Sequence, residues 1–267
     1  MSEDATRSKA GPLVIAHRCL GFGHKENSVR ALQAAMASEV DGIEIDVRLT
    51  KDHKWVVIHN PFFKSEERSV VRIHDHTHAQ VRREVNKLDT MLALSAAYHG
   101  EKLVFIDVKD VGEERQVVRM IQHYGLHKRA IVIAWEPEVL RRVHAIDPDI
   151  LLGFSYVPIH SSLAYVKGSI NKPLSRHGVL LSFNREHSFD GKFAQGKTRQ
   201  HYLAHLPELP LYSIQVPAAF CSQKLVRLAH AKNMRVYPFG VSTAIGSTLL
   251  RRRGIDGFLT KHPARFL

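Results

Sequence analysis

A chain of 267 residues, 44% hydrophobic and 24% charged, is globular in composition and long enough for one large barrel or two small domains. No apolar run reaches the length of a membrane span, the polar start MSEDATRSKAGP lacks the apolar core of a secretory signal, and Cys19 and Cys221 are too few for a disulfide framework. The 38 lysines and arginines against 26 acids, a net +12, suit anionic ligands such as phosphate esters, nucleic acid or a membrane surface without choosing among them. The expectation is a soluble, cytoplasmic protein with a frayed tail over residues 1–12 and two free thiols.

Leu13–Ala16 is a short apolar run ending in His17-Arg18, which reads as a buried strand whose polar end faces a cavity. A loop, CLGFGHK, leads through Glu26-Asn27-Ser28 into VRALQAAMASEV, which has helical spacing, with Asn27 or Ser28 as its N-cap. The next strand, Asp41–Val47, sets Glu44 and Asp46 on one face and Ile43, Ile45 and Val47 on the other. Two neighbouring carboxylates repel, and a hard divalent cation relieves that repulsion. A second apolar run, Trp55–Ile58, delivers His59 at its end. Carboxylates followed by a histidine at a strand terminus suit a metal with a general acid/base. Each feature by itself is equally an ordinary solvated face or loop.

The strand–helix unit recurs. Strands are expected at Lys102–Val108, Ala130–Ala134, Ile150–Phe154, Leu211–Gln215, Met234–Phe239 and Asp256–Leu259. Helices are expected at Glu113–His123, Glu136–Ala145, Ser222–Lys232 and Thr243–Arg253. About eight strands alternating with helices make a (β/α)8 TIM barrel, a single domain over residues 13–267. In that fold catalytic groups sit at the C-terminal strand ends, so residues 17–18, 44–46, 59 and 107–109 should share one rim. Residues 156–210 break the rhythm. They are basic, contain one strand-like run, Val179–Phe183, and read as an active-site-rim excursion after the fifth strand. Residues 68–88 are also irregular; their IHDHTH run looks like a metal site but reads better as a loop entering a helix, with His74, His76 and His78 on the surface.

Taken in order, the motifs His17-Arg18-Cys19, Lys25-Glu26-Asn27-Ser28, Glu44-Ile45-Asp46-Val47 through Thr50-Lys51-Asp52, His59-Asn60, Asp107-Val108-Lys109 and Gly254-Ile255-Asp256-Gly257 through Thr260-Lys261-His262-Pro263 resemble the glycerophosphodiester phosphodiesterase family. The likeness spans almost the whole chain except residues 156–210. It implies one divalent cation, Mg²⁺ or Ca²⁺ with Mn²⁺ as a further option, on Glu44, Asp46 and Asp107. It implies His17 and His59 as the acid/base pair, Arg18 and Lys109 on the phosphate, and Glu26 and Phe239 at the substrate. It also implies first attack by a hydroxyl next to the ester, giving a cyclic phosphate that water then opens.

The departures lie at the rim. Cys19 stands where the family has Gly, Lys25 where it has Pro, Asn60 where it has Asp and Asp107 where it has Glu. A reshaped first loop and a substrate other than simple glycerophosphodiesters are expected, such as a bulkier or more polar sugar phosphodiester of the agrocinopine type. The partner is then a small phosphodiester, with neither nucleic acid nor membrane. Two readings compete: a lyase that stops at the cyclic phosphate, and a non-catalytic anion or nucleic-acid binder on the same barrel.

Overall fold

The computed structural model describes residues 11–64, 70–98, 100–155 and 208–267. The run Val179–Phe183, nearly all of the 156–210 excursion and all but the last two residues of the 1–12 tail lie outside them.

The strands are β1 (Leu13–Ala16), β2 (Gly42–Leu49), β3 (Trp55–Val57), β4 (Phe62–Lys64), β5 (Val70–Arg72), β6 (Asn86–Lys87), β7 (Leu103–Val108), β8 (Ala130–Ala134), β9 (Leu151–Ser155), β10 (Leu211–Pro217), β11 (Arg235–Phe239) and β12 (Gly257–Thr260). Eight of them run β1-β12-β11-β10-β9-β8-β7-β2, and pairing of β1 with β2 closes the ring. All eight contacts around it are parallel. The expected (β/α)8 barrel is therefore present without Val179–Phe183, and residues 156–210 fall between its fifth and sixth strands.

Continuous apolar stretches make these strands because both faces of a parallel barrel are covered. All eight residues of β2 and all five of β8 are buried. Inside the ring, Ile15, Phe105, Ile131, Ile133, Tyr237 and Leu259 pack as one cluster. Burying each such side chain contributes roughly 1.5–3 kcal/mol. Gly257 makes room for them: a Cβ there would lie 2.6 Å from the Tyr237 ring and 2.9 Å from the Leu13 carbonyl oxygen.

Helices cover the outside. The first is Val29–Ala37, and its N-cap is Ser28, whose Oγ accepts from Ala31 N–H at 3.2 Å. Pro137 opens the helix Pro137–Ile146 in its first turn, where a missing N–H leaves no bond unmade. Helix Glu114–His123 turns Val117, Val118 and Ile121 inward.

The run Trp55–Ile58 is not a barrel strand. β3 ends at Val57 and pairs antiparallel with the outer end of β2, Val47 opposite Val57 and Leu49 opposite Trp55. The physical reason is length: eight residues carry β2 beyond its barrel neighbours, and the exposed turn Lys51–Lys54 folds the chain straight back. The described part of the 68–88 region, residues 70–88, is more ordered than a loop. It supplies β5, which pairs with β4, a short helix His78–Val81, and β6 against β3. Ile73, Val81 and Val85 pack on Val56 in a small core of their own.

Candidate active site

The carboxylates come first. Glu44 and Asp46 alternate onto one face of β2, and Asp46 lies in register with Asp107 on β7. One oxygen from each of Glu44, Asp46 and Asp107 falls within 4.8 Å of the others, and all three residues are buried. Among the described residues no other three His, Cys, Asp or Glu side chains gather this way. His74, His76 and His78 do not; His76 Nδ1 instead donates to the Arg72 carbonyl at 2.8 Å.

Lys109 reaches into the cluster. Its Nζ stands 3.0 Å from Asp46 Oδ1 and hydrogen-bonds Asp107 Oδ2. Burial and the negative neighbours push Glu44 and Asp107 above the usual carboxylate range. For Asp46 burial acts in the same direction, but Lys109, His59 and Arg18 outweigh it and hold the group below that range. Burial would lower Lys109, yet Asp107, Asp46 and Glu44 raise it. Three acids crowd one embedded ammonium, and the Arg18 guanidinium, 3.6 Å from Asp46 Oδ2, is the second cation beside them.

Asp46 Oδ1 and Asp107 Oδ1 are buried without an aligned hydrogen-bond donor. Three buried carboxylates with oxygens within 4.8 Å of one another, and Asp107 Oδ1 without a donor, fit a hard divalent cation. The residues that would hold it are Glu44, Asp46 and Asp107.

The loop after β1 closes over this cluster. Arg18 N–H donates to Glu44 Oε2 at 2.8 Å, and His17 Nε2 lies 3.6 Å from the same oxygen. Arg18 and Cys19 both have φ of 56°, the left-handed region. Cys19, expected to reshape this loop, therefore takes a backbone conformation that glycine adopts without strain. Its thiol is fully buried and donates to the Glu44 carbonyl at 3.7 Å. Arg18 Nη1 donates to both Glu26 oxygens, at 3.2 and 3.1 Å, and Arg18 Nε lies 3.6 Å from Asp46 Oδ2. Glu26 thus holds the guanidinium over the carboxylates.

Both histidines stay neutral near pH 7. Burial lowers His17 to about 3, against a rise from Asp46, and lowers His59 to about 4. His59 Nδ1 sits 2.8 Å from Asn60 Oδ1, which accepts its proton and leaves Nε2 with a free lone pair. Asn60 thus makes the orienting hydrogen bond from the position where the family has Asp. His59 is brought near by β3: Ile58 N–H donates to the Asp46 carbonyl at 2.9 Å. Phe239, at the end of β11, is partly buried against the barrel core, its ring centroid 6.5 Å from that of His17.

Asn27, the other candidate cap beside Ser28, belongs to the site instead. It clamps Asp46, Nδ2 donating to Oδ2 at 3.0 Å and Oδ1 accepting from Asp46 N–H at 3.4 Å. Its position inside the Lys25–Ser28 motif was the available signal. A cavity of about 290 Å³ opens beside Glu26 and His59, walled by Asn60, Phe62, Phe63 and Glu84.

A parallel eight-stranded barrel with acids, cations and imidazoles at its C-terminal rim defines a class, the barrel hydrolases of phosphoric diesters. The profile of the glycerophosphoryl diester phosphodiesterase family matches residues 17–265, and the chain belongs to that family. A glycerophosphodiester phosphodiesterase from Caldanaerobacter subterraneus is 30% identical over 165 residues, 54% of this chain and 66% of that one. One from Bacillus altitudinis is 22% identical over 271 residues, covering 94% of this chain and 95% of its own. A phosphodiesterase from Oleispira antarctica, solved with the product sn-glycerol-3-phosphate, superposes with a TM-score of 0.65 at 16% identity, covering 96% of this chain and 95% of that one. Among the described residues no helix is long and apolar enough to cross a membrane.

Proposed function

We propose that this protein hydrolyses a small glycerophosphodiester-like or sugar phosphodiester to a phosphomonoester and an alcohol, using a divalent cation on Glu44, Asp46 and Asp107. The observation that carries the reading is the convergence of those carboxylates within 4.8 Å with His17 3.6 Å from Glu44. When bound, the cation supplies charge neutralisation and polarises the phosphoryl oxygens.

The chain's own residues do the rest. Arg18 and Lys109 balance the phosphate charge, and Glu26 keeps the guanidinium aimed. His59 Nε2, its tautomer set by Asn60, takes the proton of the attacking hydroxyl. His17 starts neutral and takes a proton from solvent as the negative phosphodiester binds beside it; it then donates that proton to the leaving oxygen, while the proton of the attacking hydroxyl stays on His59. The two roles reverse when water opens a cyclic phosphate. The polar and aromatic cavity beside His59 supports a polar alcohol on the side of the attacking hydroxyl, as in a sugar phosphodiester of the agrocinopine type.

The test is turnover of a panel of glycerophosphodiesters and sugar phosphodiesters with Mg²⁺, Ca²⁺ or Mn²⁺. Activity should vanish with chelator, with His17→Ala and with Glu44→Ala. Phosphorus NMR should show a phosphomonoester as the final product. A protein that cleaves nothing in the panel with any of the three ions overturns the proposal.

A further inference from the structure

β2 keeps its alternation beyond Asp46, so Arg48 stands on the face that carries Glu44 and Asp46. Its side chain is 5% exposed. Nε donates to the backbone carbonyl of His59 at 2.9 Å and Nη1 to Asp110 Oδ1 at 3.0 Å. Asp110 Oδ2 accepts from Leu49 N–H at 2.9 Å, so the acid is anchored to the same strand end. On the other side of His59, Ile58 N–H is held by the Asp46 carbonyl at 2.9 Å. His59 lies past the last residue of β3, where ladder pairing has stopped. Its backbone is therefore gripped from both sides by the strand that carries two of the three carboxylates.

A buried ion pair is a poor source of net stability, because desolvating both charges offsets their attraction. One loop carbonyl could have been satisfied by a neutral donor. What a guanidinium adds is a fork of fixed shape that joins two partners at a set distance.

We propose that Arg48, braced by Asp110, is a positioning residue that sets His59 relative to the Glu44–Asp46 face. It rests on the acid/base role of His59 and acts through that residue's backbone. The pair governs where the imidazole stands, so its loss lowers kcat and leaves ground-state binding nearly intact.

The experiment compares Arg48→Met, Arg48→Lys and Asp110→Asn with the parent, each alone and with His59→Ala, on glycerophosphocholine and Mg²⁺. Arg48→Met should lower kcat by about tenfold to a hundredfold, the scale of a misplaced catalytic group, with KM within about threefold. Arg48→Lys and Asp110→Asn should fall between it and the parent. With His59 already removed, Arg48→Met should change nothing further. Nitrogen-15 NMR of the imidazoles gives a readout free of turnover and decides alone if the probe is not cleaved. His59 should show one fixed Nδ1–H tautomer in the parent and an averaged one in Arg48→Met, with His17 unchanged. If His59→Ala keeps full kcat, the acid/base reading fails and this one falls with it. If Arg48→Met lowers kcat equally with and without His59, or leaves both kcat and the His59 tautomer unchanged, the pair is structural and the positioning role alone is overturned.

Discussion

Asn27 holds Asp46 by both its backbone and its carboxylate, with Nδ2 3.0 Å from Oδ2 and Oδ1 3.4 Å from the amide nitrogen. It does so from φ of 57°, a left-handed conformation that Asn tolerates better than most residues. Its partner sits at the centre of the cluster, so Asn27 orients a group that would bind metal without binding it. Asn27→Ala should weaken Mn²⁺ affinity by about tenfold to a hundredfold, the usual effect of removing such a partner. Isothermal titration with Mn²⁺ measures it; unchanged affinity would show that Asp46 needs no support.

Lys109 stands between Asp46 and Asp107 and offsets part of their repulsion. Lys109→Met removes that charge and leaves three buried acids facing one another. The variant should melt several degrees lower than the parent in EDTA at pH 7.5. Adding Mg²⁺ should recover more of the variant's melting temperature than of the parent's. Equal recovery by scanning fluorimetry would mean that the ammonium does not share the cation's work.

His17 and His59 have folded values of about 3 and about 4, below the unfolded 6.5. Between pH 6.5 and 4 the unfolded chain takes up protons that the native rings refuse, so these two groups favour unfolding as pH falls through that window. Their contribution is flat above pH 6.5. Glu44 and Asp107, raised by burial, act in the opposite sense in metal-free protein, and saturating Mg²⁺ suppresses that part. Urea titrations with Mg²⁺ should show stability falling from pH 7 to 5, and His59→Asn should flatten the fall. A slope that does not depend on His59 would contradict its burial as a neutral ring.

Gly257→Ala tests the barrel interior. The new methyl meets the Tyr237 ring at 2.6 Å and the Leu13 carbonyl at 2.9 Å. Backbone on one side cannot retreat, so the variant should lose about 1–3 kcal/mol in urea denaturation, the range for overpacking. A variant as stable as the parent would show that the Tyr237 ring has room to move.

Much of this was legible before any coordinates. The alternation of Glu44 and Asp46, the apolar strand runs and Pro137 at a helix start are local patterns, and local geometry turns each into one structure. What was not legible has a common origin. Trp55–Ile58 reads locally as an apolar run ending in His59, and nothing local says that it pairs antiparallel with the end of β2. Asn27 and Ser28 are both good caps; which one caps depends on Asp46 lying nearby, nineteen positions along the chain. Nothing near Arg48 along the chain points to its partners, Asp110 and the His59 carbonyl.

The chain by itself determined which residue types stand at the strand ends and in what order, because strand period and motif spacing are properties of short stretches. Ring closure decided the partnerships: that Lys109 meets Asp46, that Asn27 clamps the same carboxylate, and that Arg48 holds the backbone of His59. Those contacts depend on inter-strand register and on the reversal of β3, which arise when distant segments pack together and leave no periodic trace in any one of them.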